Sequence, residues 1–256
     1  MIELLHRMQE FWENRVAFAV ATVVASYGSS PREPGAKMLV AIDGRTSGTI
    51  GGGTLEELVK RDALEVIEKG KAELKQYRLS AGGEGCGGDV DVFIDPVKVK
   101  DRVVIFGAGH IGRYLSKMAF LVGFDVVVVD SRPDYANKDR FPDAKEIIVK
   151  EFYTAARELK PDLSSYVVVN TFAHKFDEDV LRGLLGKEFA YIAMVASDQK
   201  RQTIYSHLLK DGFSEEALKR VHSPAGLPIG GRRPEEIALS IMSEIVAVKY
   251  GKDLNG

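Results

Sequence analysis

The run Val103-Val104-Ile105-Phe106, followed at once by Gly107-Ala108-Gly109-His110-Ile111-Gly112, constrains this chain more than any other stretch. Four apolar residues rich in β-branched side chains read as a buried strand. The three glycines have separate duties. Gly107 permits a tight turn, Gly109 leaves room for a phosphate to approach the backbone, and Gly112 lets helix and strand pack closely. A helix opening near His110 aims free N–H groups and its positive end at an anion. The next strand, Asp125 to Val129, ends in Asp130, 18 residues beyond Gly112. A carboxylate there is placed to accept hydrogen bonds from a ribose diol, whereas Arg132 would suit a 2′-phosphate. NAD and NADP both stay open, the retained acid favouring the free 2′-hydroxyl, as does a nucleotide fold that has lost its ligand. Together these features predict a Rossmann-type domain.

The rhythm downstream agrees. Apolar segments at 103–106, 125–129, 146–149, 166–170 and 190–194, with a sixth near Val221, alternate with helical stretches. That alternation predicts an α/β domain with a mostly parallel sheet. The pattern breaks near Asp95-Pro96-Val97-Lys98, giving a smaller N-terminal α+β domain over 1–97 and a Rossmann-like domain over 101–256. In the first, a helix is expected over 2–14 and strands over 18–25, 37–42 and 47–50. Asp43-Gly44 signals a type I′ hairpin. Thr54 and Glu57 have capping-box spacing, and Leu55, Val59, Ala63 and Val66 line one helix face. Val90, Val92 and Ile94 alternate with outward residues, as in a half-buried strand.

Charge narrows the partners. Residues 1–100 hold 13 Lys/Arg against 15 Asp/Glu, and the remainder 22 of each. No basic stripe marks either half, so no nucleic-acid partner is expected. The longest apolar runs are about seven to eight residues, against roughly 20 for a membrane span, so no membrane partner is expected either. The one cysteine, Cys86, excludes an internal disulfide and a cysteine-rich metal cluster. With a charged, helix-like start, this predicts a soluble cytoplasmic protein.

Several residues are candidates for chemistry. His110 lies inside the glycine loop; His174 follows the fourth Rossmann strand, where it could bind a ligand, relay a proton, hold a metal or merely cap a loop beside Asp177. His222 opens a Gly/Pro-punctuated loop reaching Arg232 and Arg233, with Pro234 suited to a first helical turn. That loop could cradle phosphate at a helix start or serve as a rigid connection. Arg32 and Lys37 flank a Pro-Gly turn and suit an anionic ligand or simple solvation. Cys86, set between glycines, is a thiolate candidate for a soft metal or sulfur, or a small apolar side chain in a turn. No HExxH or GxSxG occurs, and no catalytic set is evident. An NAD(P)-dependent oxidoreductase using His174 or His110, and a non-catalytic nucleotide-responsive scaffold, both remain open.

Separated motifs then converge. Ser29-Ser30-Pro31-Arg32-Glu33-Pro34-Gly35-Ala36-Lys37-Met38, Gly48-Thr49-Ile50-Gly51-Gly52-Gly53-Thr54-Leu55-Glu56 and Cys86-Gly87-Gly88 are joined by Gly107 to Gly112, Val129-Asp130-Ser131-Arg132, the Thr171/His174/Asp177 segment, and His222 to Leu227 through Arg233-Pro234-Glu235-Glu236-Ile237. This ordered set resembles the XdhC/CoxI family of xanthine dehydrogenase accessory proteins over nearly the whole chain. The resemblance implies a maturation factor or chaperone, not itself an enzyme. It implies binding of molybdenum cofactor (molybdopterin), assistance during its sulfuration, and delivery to a xanthine dehydrogenase-type molybdenum hydroxylase. A separate cysteine desulfurase as sulfur donor and a homodimer are implied too. So are cofactor-binding roles for Gly107, Gly109, His110, Gly112, Asp130, Arg32, Lys37, His174, His222 and Arg232, with Cys86 at the molybdenum end. The segment Tyr191–Arg201 departs from the family pattern. Ala193 and Ala196 stand at glycine positions, and Asp198 replaces a basic residue.

Overall fold

The computed structural model describes residues 2–28, 33–79 and 88–252. The chain divides into two compact units, Met1–Val99 and Lys100–Gly256. In the first, strands β1 (Phe18–Gly28), β2 (Lys37–Ala41), β3 (Thr46–Gly48), β4 (Glu73–Leu79) and β5 (Gly88–Val97) form one antiparallel sheet in the order β3-β2-β1-β5-β4. The start of β1 is apolar at every position because both of its faces are covered. Ala19, Ala21 and Val23 pack with Leu55, Val59, Ala63 and Val66 of helix α2 (Gly53–Lys69), while Phe18 joins Phe11 of helix α1 (Ile2–Glu13), Leu39 and Ala41. Each fully buried valine or leucine in these clusters contributes about 1.5–3 kcal/mol.

Two local expectations are corrected. A type I′ hairpin needs positive φ at both central residues, but only Gly44 has it (φ 81°), and Arg15 is the sole non-glycine residue described with positive φ. The connection is instead a three-residue loop closed by Gly44 N–H to Ala41 O (2.8 Å), with the Asp43 carboxylate accepting from Arg45 N (3.1 Å) and Nε (2.8 Å). Likewise α2 starts two residues early, with Gly52 rather than Thr54 as N-cap, and Glu56 rather than Glu57 turns back. Its Oε1 accepts from Thr49 Oγ1 (2.5 Å), Ile50 N (3.1 Å) and Gly52 N (2.9 Å), so the triple-glycine loop folds around a carboxylate of the chain itself. Glu56→Ala leaves those donors without an acceptor and is expected to destabilise the unit by about 1–3 kcal/mol. Faster hydrogen exchange at Ile50 and Gly52 would report it; unchanged exchange would contradict it.

The second unit runs β6 (Arg102–Phe106), α3 (His110–Leu121), β7 (Asp125–Asp130), β8 (Glu146–Val149), α4 (Phe152–Glu158), β9 (Ser165–Val169), α5 (His174–Leu184), β10 (Tyr191–Met194), α6 (Asp198–Lys210), α7 (Glu215–Lys219), β11 (Val221–His222) and α8 (Pro234–Lys249). Its six strands are parallel in the order β11-β10-β9-β6-β7-β8. The chain builds outward from β6 through β7 to β8, then returns to β9 on the other flank. The reversal lies between β6 and β9, the crevice where open α/β sheets bind ligands. One sheet face carries α3 and α8, the other α4, α5 and α6. The inner strands are apolar at successive positions because both faces are covered. The fold class is the expected one: an α+β unit followed by a Rossmann-like parallel sheet. Among the described residues, no helix is long and apolar enough to cross a membrane.

Candidate functional site

The glycine loop sits at the end of β6, beside the end of β9. Gly107 adopts φ 120°, and a Cβ there would lie 2.3 Å from the Asn170 carbonyl oxygen. A Cβ on Gly112 would lie 2.2 Å from the Gly107 carbonyl oxygen, so the third glycine sets how closely α3 approaches the loop. The Asn170 side-chain amide ties the turn together. Oriented by its neighbours, it donates to Phe106 O (2.8 Å) and Gly107 O (3.0 Å) and accepts from Gly112 N (3.1 Å). Gly109 is different: its φ is an ordinary −74°, and a Cβ there would meet nothing within 4 Å. Packing therefore does not explain its missing side chain; the space above it stays open.

That opening faces the start of α3, which has no side-chain cap and no acidic residue in its first turn. Among the described residues, no hydrogen bond reaches the N–H of Gly109, His110 or Ile111. Of the other long helices starting on this sheet edge, α6 and α8 carry side-chain acceptors there, and α5, which has no side-chain cap, has the acid Asp177 in its first turn. Ser197 accepts from Lys200 N at α6. Asp177 of α5 is buried, accepts from Thr171 N (2.9 Å) and Oγ1 (2.8 Å), and pairs with the Lys200 ammonium. At α8, Glu236 accepts from Arg232 N (2.9 Å), Arg233 N (3.0 Å) and Arg233 Nε (3.0 Å), and those bonds hold its carboxyl down at about 2. The loop after His222 thus folds round a carboxylate at the place where a phosphate would have to enter. Arg232 itself is exposed.

Asp130 ends β7 with no exposed surface. Its Oδ2 accepts from Ala108 N (2.8 Å) and an Arg132 terminal nitrogen (2.9 Å); its Oδ1 accepts from Arg132 N (3.1 Å) and Nε (2.9 Å). Burial alone would raise this carboxyl, but the bonds from Arg132 and Ala108 outweigh it and hold it below the usual carboxylate range. A carboxylate offers about four acceptor sites, and all four are used. The Arg132 guanidinium is in turn sandwiched between the rings of Tyr135 (3.9 Å) and Phe172 (3.8 Å). Acid and arginine, expected to read a ribose or its phosphate, here satisfy each other and brace the glycine loop.

The histidines separate clearly. His110 and His174 are the exposed first residues of α3 and α5. The acid near His174, Asp177, turns inward to Thr171 and Lys200. His222, by contrast, is held: its Nδ1 lies 2.8 Å from Glu244 Oε1, and its ring packs 4.7 Å from that of Tyr191. Lys37 donates to Thr22 Oγ1 across the first sheet (2.9 Å). Arg32 and Cys86 lie outside the described residues. Ala193 is buried under the α8 face, and Asp198 pairs with Arg201 (3.0 Å), so the departures from the family pattern are accommodated locally.

Reading the sequence missed three contributors. Asn170 is legible afterwards as a polar residue closing an apolar strand. Glu244 interrupts the apolar face of α8. Arg140 left no signal; it reaches back to Ala108 O (3.3 Å), bringing a half-buried guanidinium to the glycine loop. Its Nε is buried without a partner among the described residues.

Similarity to known proteins agrees with this picture. The profile of the XdhC Rossmann domain matches residues 103–245, and that of the XdhC and CoxI family matches residues 11–78. An uncharacterized Escherichia coli protein, YqeB, is 36% identical over 245 residues, covering 93% of this chain and 44% of that protein. A Bacillus subtilis protein described as a probable subunit of xanthine dehydrogenase is 29% identical over 159 residues, covering 62% of this chain and 46% of that protein. The chain thus spans less than half the length of these curated relatives. A crystal structure described as a xanthine dehydrogenase from Bacillus halodurans superposes with TM-score 0.54 at 25% identity, covering 98% of this chain and 96% of that one. With both profiles matched in order and a relative 36% identical over 93% of this chain, the chain belongs to the XdhC and CoxI family, related to xanthine dehydrogenase accessory proteins.

Proposed function

We propose that this chain is an accessory protein that holds molybdenum cofactor by its phosphate and assists its sulfuration and insertion into a xanthine dehydrogenase-type molybdenum hydroxylase. The observation that carries this reading is the contrast at the sheet edge. The start of α3 offers unengaged N–H groups beneath the open space at Gly109, whereas Asp130 has no acceptor site left for a ribose diol. A terminal phosphate fits the first feature, and an adenosine ribose does not fit the second. The residues present therefore suit a singly phosphorylated ligand better than a dinucleotide. Gly109, His110 and Ile111 would hold the phosphate through backbone N–H groups. Arg140, beside Ala108, would add positive charge. The cofactor's contribution, once in the client, is its molybdenum–dithiolene centre. In this reading the partners are the apo-hydroxylase, a cysteine desulfurase supplying sulfur and a second copy of this chain.

The test is Gly109→Ala. Its Cβ enters open space, so stability should change by less than about 1 kcal/mol. Retention of molybdenum cofactor in native mass spectrometry should fall about tenfold or more, some 1.4 kcal/mol. Undiminished retention, or selective retention of NAD(H) by the wild type, would overturn the reading.

A further inference from the structure

Glu244 projects from α8 against the sheet with its side chain 8% exposed. Three donors converge on it: Tyr191 Oη (2.5 Å) and Gly226 N (2.7 Å) on Oε2, and His222 Nδ1 (2.8 Å) on Oε1. These bonds more than offset burial and hold the carboxyl below its usual range. An ionised carboxylate only accepts, so Nδ1 of His222 must carry a proton. In the neutral ring the lone pair then belongs to Nε2. Nε2 has no hydrogen bond among the described residues, and the side chain is 37% exposed. A bond that fixes one ring nitrogen, and so sets the task of the other, is how proteins prepare an imidazole to meet a ligand.

Position supplies the second argument. His222 pairs with Ala193 of β10, which pairs with Val168 of β9, which pairs with Ile105 of β6, one residue short of the last in that strand. His222 therefore stands three strands from the glycine loop near the same sheet edge, about 14 Å away at about 4.8 Å per strand. A ligand seated by phosphate on α3 and lying along the edge would bring a ring to it. The following loop is pinned there by Ala225 N to Met194 O (3.1 Å) and by Arg201 to Ser223 O (2.6 Å).

We propose that His222, oriented by Glu244, is the ligand contact for the far end of the bound molecule, with Nε2 accepting a hydrogen bond from the N–H edge of a phosphate-bearing heteroaromatic ring. This rests on the phosphate-seat reading above. Guanosine monophosphate is a stable probe, because it joins a phosphate to a 2-amino-lactam edge of the pterin kind; ribose 5-phosphate lacks the ring. By calorimetry the wild-type chain should bind guanosine monophosphate about tenfold more tightly than ribose 5-phosphate. His222→Asn keeps a donor for Glu244 at the Nδ1 position and removes the acceptor, so it should fold normally and bring the two affinities together. His222→Gln, which restores an acceptor near the Nε2 position, should recover part of the difference. Long-range nitrogen–proton NMR should show the Nδ1–H tautomer in the wild type and lose it in Glu244→Gln.

Equal wild-type affinities, no measurable binding of either probe, a ratio that survives His222→Asn, or an Nε2–H tautomer would each overturn the assignment. The two readings fail differently. If Gly109→Ala weakens both probes while His222→Asn leaves their ratio intact, the phosphate seat stands and His222 is wrong. If Gly109→Ala changes neither affinity while His222→Asn collapses the ratio, His222 stands and the phosphate seat is wrong.

Discussion

Asp130→Ala is expected to destabilise the second unit by about 3 kcal/mol, at the lower end of the range for removing one partner of a buried ion pair. The lower end applies because the Arg132 side chain is 31% exposed and can recover water. The loss remains large because Ala108 N–H is left buried and the guanidinium between Tyr135 and Phe172 loses its anchor. Asp130→Asn keeps an acceptor but no charge, and should cost less. The pH dependence has a definite sign. The folded-state pKa is depressed, so the contribution is fully present above the unfolded carboxylate value of about 3.9. It disappears as pH falls from there through the folded value. The gap in urea midpoint between wild type and Asp130→Asn should therefore narrow as pH falls below about 3.9. Parallel curves would mean that the carboxylate is not the stabilising species.

Gly107→Ala should cost at least as much, about 3 kcal/mol or more, since it combines a Gly-only conformation with a backbone clash. The φ of 120° and the 2.3 Å approach of the Asn170 carbonyl leave no place for a methyl group without parting the ends of β6 and β9. The informative comparison is with Gly109→Ala, two residues away in the same motif. The first substitution should lower the melting temperature by many degrees, the second should lower ligand retention and leave melting nearly unchanged. If both melt alike, the division of labour between the two glycines is wrong.

Much of the fold was legible because periodicity and glycine spacing are local properties. The strand from Val103 to Phe106, the loop to Gly112 and the later apolar segments declare a doubly covered parallel sheet through burial alone. The α+β character of the first unit was equally plain, whereas its turn and cap chemistry was not. Whether Asp43 takes a positive φ, or which of Glu56 and Glu57 turns back to the glycines, depends on small energy differences that neighbouring contacts settle.

The candidate site divides along the same line. The residue types in the glycine loop, the acid at the end of the next strand and the histidine before the Pro/Gly loop were all readable. Their availability was not, because a hydrogen-bonding group's capacity depends on what else reaches it. Arg132 and Ala108 use every acceptor site of Asp130, Glu236 fills the start of α8, and Glu244, 22 residues further along the chain, turns His222 into an oriented acceptor. The sequence by itself determined the Rossmann-like sheet and where its phosphate-sized opening must lie. Only the tertiary structure decided which polar groups around that opening are free to meet a ligand, since those partners are brought together by folding.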